Sequence, residues 1–467
     1  MHSIHTLKNK LRLITVPIKG AKTATVLVMV RTGSKYENKK NNGISHFMEH
    51  MFFKGAKKRP NALAISSALD GMGADFNAFT AKEYTGYWIK TEAKQIESAM
   101  DIVSDMLLNS KFEQAEIERE KGVIIEELNM HRDNPMMYIE DLFEELLYGD
   151  QPAGWDTIGT KENILGFKQK DFIDYLTSQY GAQNIFVCLA GNIPTCHCEE
   201  WSGAKRNEMT KQSRRLQAVP HAQKVASTTG LLRRSFVAPR NDNIEKLVNK
   251  YFSNFQPSDF QDKQLVKEKQ CKPRVKLHYK KTDQLHLSLG VRTFPIGHKD
   301  EFILKAASIL LGGSMSSRLF TQLRERRGLA YYVMAQHEFY TDTGYLTARA
   351  GVPINKLEQA VKIILAEYKK LADKSVDKKE LEKIKNLIRG KMAIQLEASD
   401  NIANWYGLSA VLRDKILTPE NFLKAIDSVT AKDIQRVARD IFVNQGLNLA
   451  VIGPFRGGKR FEEILNI

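Results

Sequence analysis

A chain of 467 residues with 42% hydrophobic and 27% charged side chains is too long for one ordinary core, and its composition is that of a globular protein of two or more domains, not a fibrous or disordered one. Its formal charge of +16 comes from basic residues spread along the chain with no nucleic-acid motif, so no nucleic-acid partner is expected. Four cysteines, Cys188, Cys196, Cys198 and Cys271, are too few for a disulfide framework in so long a chain and fit a reducing compartment.

The opening MHSIHTLKNKLRLITV is basic but has neither a long apolar core nor a small-residue cleavage site, which points to the cytoplasm. The run TATVLVMV (Thr23 to Val30) reads as a strand; it is too short to cross a bilayer and no membrane span is expected. Next comes ISHFMEHMFF. Ile44, Phe47, Met48, Met51 and Phe52 recur at three- and four-residue spacing, which predicts a helix. On that helix His46 and His50 lie one turn apart and face the same way, so two imidazoles can grip one zinc ion. Glu49 sits on the rim of the same face, able to reach a zinc-bound water without being a ligand. The HxxEH order is the reverse of HExxH. With 11 histidines in the chain, a chance occurrence is rare; the bland alternative is a helix with two satisfied histidines and a solvated glutamate.

A catalytic zinc needs a third protein ligand and an open position. The segment FEQAEIEREKGVIIEELNM (Phe112 to Met130) has helical spacing. At 100° per residue, Ile124 and Leu128 fall within about 20° of Ile117, which marks the buried stripe; Glu127 and Glu120 fall together at about 80° and 60° to one side, and Glu126 points away. Glu127 is therefore the better ligand and Glu120 its neighbour, against the alternative of a solvated acidic face.

Residues 194–240, from Pro194 to Arg240, are rich in basic and small polar residues with little apolar periodicity. They read as a disordered surface insert, and resemble a translated palindromic repeat of the rickettsial kind. Cys196-His197-Cys198 within it is a poor tetrahedral metal set. The insert separates the strand IFVCLAG from an amphipathic helix, NIEKLVNKYFSNF (Asn243 to Phe255). The polar stretch 257–273 reads as a linker.

Beyond the linker the pattern repeats. Val291-Arg292-Thr293 echoes Val30-Arg31-Thr32, Lys432-Asp433 echoes Lys170-Asp171, and Gly453 closes an apolar strand as Gly191 does; the offsets are 261 (291 − 30), 262 (432 − 170) and 262 (453 − 191). The expected fold is α+β, with two homologous α/β domains: residues 1–193 with 241–256, and residues 274–467. Moving His46, His50 and Glu127 on by 262 gives Ser308, Gly312 and Arg389, none able to bind zinc. Only the first copy bears the metal.

The HxxEH motif, an EKGVIIEE helix and a Glu127 placed 77 residues after His50 together resemble the M16 peptidases, the family of insulysin, pitrilysin and mitochondrial processing peptidase. The resemblance covers nearly the whole chain apart from the insert. It implies that Glu127 is the third ligand of one zinc per chain, that Glu120 is a supporting residue, and that the chain is a zinc metalloendopeptidase acting on peptides or unfolded polypeptide; a non-catalytic scaffold or partner subunit is the alternative. It also implies that GADFNAFTAKEY (Gly73 to Tyr84) is an edge strand whose Asn77 and Ala78 hydrogen-bond extended substrate, and that Arg324 and Tyr331 of LRERRGLAY hold substrate carbonyls. Without the resemblance, the last segment is an ordinary basic helix end closed by Gly328. Family clamshells use four such domains, so the resemblance implies a homodimer, or a heterodimer with a metal-free homologue.

Overall fold

A computed structural model of the chain describes residues 2–193, 242–457 and 459–467. The insert predicted for 194–240, with its cysteines and histidine, lies outside them. Among the described residues, eleven strands, numbered along the chain, form two mixed sheets flanked by helices. The first sheet runs β1 (Ser3–Thr6), β2 (Arg12–Pro17), β6 (Ile185–Gly191), β3 (Thr23–Val30), β5 (Thr85–Glu92), β4 (Asp75–Thr80). The second runs β7 (Arg274–Tyr279), β11 (Leu447–Gly453), β8 (Gln284–Thr293), β10 (Gly344–Pro353), β9 (Tyr332–Phe339). Apart from β1, the two orders correspond strand for strand. Even the one parallel pair of each sheet, β2 with β6 and β7 with β11, falls at the same place. This is the two-copy α+β fold expected from the repeat.

Strand β3 shows why its sequence is apolar almost throughout. Ala24, Val26, Val28 and Val30 face the core of the first half. Leu27 and Met29 face the opposite way, against Ala403, Tyr406 and Val411 of the second-half helix Ser399–Leu412. A sheet covered on both faces carries near-continuous hydrophobic strands. The exchange is reciprocal. The first-half helix Pro135–Tyr148 places Ile139, Leu142, Phe143 and Leu147 on the second sheet, against Tyr345, Ala450 and Ile452. Asn134 and Pro135 start that helix: the Asn134 side chain accepts from the Met136 N–H, and proline is tolerated at a first turn whose N–H groups have no partner.

The joint between halves is polar as well as apolar. Lys35, fully buried, donates to Glu83 at 2.8 Å and to Asp342 at 2.5 Å. Glu83 also accepts from the Thr341 N–H and hydroxyl at 2.8 and 3.0 Å. The polar stretch 257–273 carries no regular element but is stitched to both halves, Gln183 donating to the Ser258 carbonyl and the Val266 N–H to Asp342. Cys188 and Cys271 are free thiols. Among the described residues no helix is long and apolar enough to cross a membrane.

Candidate metal centre

The histidine helix spans Ile44–Met51. Gly43 precedes it at φ +100°, in a conformation open to glycine; a Cβ there would also meet the Ile158 carbonyl oxygen at 2.5 Å. The buried Glu37 carboxylate accepts from the Gly43 and Ser45 N–H groups, both at 2.8 Å, and so satisfies two donors that the first turn leaves over. Ile44, Phe47, Met48 and Met51 are buried in the core, which fixes the helix in rotation and leaves His46, Glu49 and His50 on the other side.

The glutamate helix spans Gln114–Asp133, two residues later at its start and three at its end than the segment read from the sequence. Ile117, Ile124 and Leu128 are its buried stripe, Glu120 is buried, Glu127 half-buried and Glu126 exposed. Glu127 faces both histidines: His46 Nε2 lies 3.5 Å from Oε1 and His50 Nε2 lies 3.3 Å from Oε2. Among the described residues these three are the one group of metal-binding side chains whose ligand atoms converge, all within 4.8 Å of one another. Bonds of about 2.0–2.1 Å to a tetrahedral zinc separate its ligands by roughly 3.3–3.4 Å. The donor set fits the ion in chemistry, and both histidine–glutamate distances are close to that spacing.

Two groups support this set. Glu120 Oε1 lies 2.9 Å from His50 Nδ1 and accepts a hydrogen bond from that nitrogen, so that Nε2, turned toward Glu127, is the one that ligates once its proton is lost. Lys54 holds the other Glu120 oxygen at 2.6 Å. Burial opposes a charged His50, but Glu120 and then Glu127 outweigh it and raise its pKa to about 9 in the metal-free chain. Glu127 is held well below the usual carboxylate range by His46 and His50. Glu49 lies beside the cluster, its Oε2 accepting from the Thr80 hydroxyl at 2.6 Å. Sequence reasoning missed Thr80 and Lys54. Lys54 was within reach of it, four residues after His50; nothing local marks Thr80 out.

Asn77 and Ala78 lie on β4, which pairs only with β5 among the described residues and so ends the sheet. Asn77 is exposed, and its side-chain oxygen accepts from the Ala78 N–H at 2.9 Å. Arg324 and Tyr331 are brought together around Gly328: Arg324 Nη1 donates to the Tyr331 carbonyl at 2.8 Å. Tyr331 is 71% exposed. Among the described residues, no hydrogen bond or ion pair joins either of them to His46, Glu49, His50 or Glu127 of the same chain.

The second copy has no metal centre at the matching positions. Ser308 is buried, and Arg389 pairs with Asp427 at 2.7 Å. Gly312 admits no side chain, because a Cβ there would lie 2.0 Å from the Ala335 nitrogen of β9. The strand has closed over the place where the first half displays its second histidine.

The model of insulinase (peptidase family M16) matches residues 12–161, and that of the peptidase M16 inactive domain matches residues 240–388. The uncharacterized zinc protease YmxG of Bacillus subtilis is 30% identical over 453 residues, 96% of this chain and 98% of its own. This chain belongs to peptidase family M16. An uncharacterized zinc protease of Rickettsia bellii is 28% identical over 452 residues, 97% of both chains. In fold, this M16 chain is similar to a protease from Helicobacter pylori, with a TM-score of 0.82 at 21% identity over 97% of this chain and 99% of that one. It is also similar to a peptidase M16 inactive domain structure from Pseudomonas fluorescens, with a TM-score of 0.81 at 14% identity over 98% of both.

Proposed function

We propose that this M16 chain is a zinc metalloendopeptidase that cleaves peptides or unfolded polypeptide. The observation that carries the reading is the convergence of His46, His50 and Glu127, with Glu49 beside them and outside the ligand set. The relatives named zinc proteases support it over nearly the full chain.

His46, His50 and Glu127 would hold one zinc per chain. Zinc, when bound, supplies the Lewis acidity that lowers the pKa of a water and polarises a carbonyl. Glu49 accepts the proton of the attacking water and passes it to the leaving amine. Glu120 keeps His50 in the tautomer and orientation that ligation needs. An extended peptide adds to β4 as a further strand; for Ala78 to donate to it, the Asn77 side chain has to swing away. The active form is a dimer of this chain in which Arg324 and Tyr331 of the partner face the centre and hold substrate carbonyls. The high exposure of Tyr331 and its lack of contact with the metal ligands of its own chain support that arrangement.

The test compares wild type with Glu49→Gln for zinc content and for cleavage of a fluorogenic peptide library. Both should carry one zinc per chain, with turnover of the variant lower by about 10³-fold. A Glu49→Gln protein that keeps zinc and full activity overturns the assignment of the base.

A further inference from the structure

We infer that Thr80 is a positioning residue for Glu49 and that it ties the orientation of this base to the strand on which substrate docks. The inference rests on the peptidase reading above and deepens it.

A threonine hydroxyl has one proton to donate. Two acceptors lie within reach of Thr80 Oγ1: Glu49 Oε2 at 2.6 Å and the Ser45 carbonyl at 3.5 Å. The first is a short bond to a charged acceptor, the second barely a bond, so the proton goes to Glu49. Among the described residues no other hydrogen bond or ion pair holds the Glu49 carboxylate. The contrast with Glu120 is instructive: that carboxylate is gripped by His50 and Lys54 and has no oxygen to spare. Glu49 is held by one oxygen through a neutral donor, and its Oε1 is left to take a proton. A glutamate has three side-chain torsions, and without this bond half-buried Glu49 could turn its carboxylate away from the zinc ligands.

Thr80 is itself fixed from two directions. It ends β4 opposite Thr85. The turn that follows is held from below: the Ser34 N–H donates to the Ala81 carbonyl at 3.2 Å and the Lys35 N–H to the Lys82 carbonyl at 2.8 Å. Gly33 makes that approach possible, since a Cβ there would lie 2.1 Å from the Ala81 oxygen. The same turn carries Glu83, bound by Lys35 and by Thr341 of the second half. One end of β4 is thus anchored in the joint between halves, while Asn77 and Ala78, three and two residues before Thr80, lie on its docking stretch. The docking stretch and the residue that aims the base thus share one short strand, and the cost of losing the hydroxyl appears in turnover more than in binding.

The experiment uses the zinc-loaded full chain. Thr80→Val removes the hydroxyl at nearly constant shape and suits a strand; Thr80→Ser keeps the hydroxyl. All forms should bind one zinc per chain. Thr80→Val should lower kcat by about 10- to 100-fold with KM within about threefold, as expected for losing a hydrogen bond to a charged group, while Thr80→Ser stays within about threefold of wild type. Wild-type kcat in Thr80→Val, a loss carried by KM or by zinc content, or equal impairment in Thr80→Ser overturns the inference. A second readout needs no turnover. Crystal structures of the zinc-loaded variants should show the Glu49 carboxylate displaced or spread over rotamers in Thr80→Val and unchanged in Thr80→Ser. An unmoved Glu49 in Thr80→Val overturns the inference even for a chain that cleaves nothing, whereas a chain that cleaves nothing but whose Glu49 moves sinks only the peptidase reading.

Discussion

Zinc affinity should depend steeply on pH over a range where an ordinary histidine site would not respond. A protonated imidazole cannot ligate, so zinc has to displace a proton from His50 at any pH below the value of about 9 that Glu120 and Glu127 give it. Well below that value each pH unit weakens apparent affinity about tenfold, and the loss between pH 9 and pH 7 is about 50-fold (roughly 2.3 kcal/mol). A histidine left at 6.5 would lose only about 1.3-fold at pH 7. A chelator-buffered zinc titration from pH 6 to 9.5 separates the two. Glu120→Gln supplies the internal control, because Glu120 is the main group that raises His50. It should flatten the slope between pH 7 and 9 and, through lost orientation of His50, weaken zinc about 10- to 100-fold at the alkaline end. A wild-type curve flat from pH 7 to 9, or a Glu120→Gln slope as steep as wild type, would refute the argument. The same shift acts on the metal-free fold with the opposite sense. The folded value of about 9 lies above the unfolded 6.5, so charged His50 stabilises the metal-free chain fully below about pH 6.5, and that contribution is lost as pH rises through 9.

Glu127→Gln should lower zinc affinity by more than about 100-fold with circular dichroism unchanged, since on the proposed ligand set it removes a direct ligand and not a supporting one; zinc retained after dialysis would dismiss Glu127 as a ligand. Glu83→Gln should cost about 2–4 kcal/mol in urea unfolding, because Lys35 stays buried with only Asp342 to pair it; a change below about 0.5 kcal/mol would show that the ion pair does not hold the halves together. Mixing Glu49→Gln chains with Tyr331→Phe chains tests the dimer. With random pairing about half the dimers are mixed and each has one intact site, so roughly a quarter of wild-type activity should return; no recovery would mean that the tyrosine acts within its own chain or not at all.

What the sequence could reveal followed the range of the physics involved. His46 and His50 were legible because one helical turn relates them and their apolar neighbours fix the buried face. Glu127 was legible although 77 residues separate it from His50, because Ile117, Ile124 and Leu128 set the rotation of its own helix and so separated it from Glu126. Helix ends were less sharp: Phe112 takes a positive φ of 46° outside the glutamate helix, and no residue type announces that. The reciprocal exchange of helices was not legible. Pro135–Tyr148 and Ser399–Leu412 are apolar on one face like many helices, and nothing in either says which sheet it covers.

The same limit explains the most consequential miss. Thr80 is 31 residues from Glu49 and sits in a segment whose chemistry reads as a plain strand; only the sheet order, which makes β4 an edge over the histidine helix, brings hydroxyl and carboxylate together. The second copy makes the point in reverse. It keeps the strand order and the paired helices, yet β9 packs so closely on its helix that Gly312 has no space for a side chain. A metal centre in this fold therefore needs more than ligands at the right spacing. It needs room between edge strand and helix for side chains, and in the first half Glu49 and Thr80 meet between those two elements. Ser308→His, Gly312→His and Arg389→Glu combined should on that account lower stability to urea and still leave zinc content at one per chain.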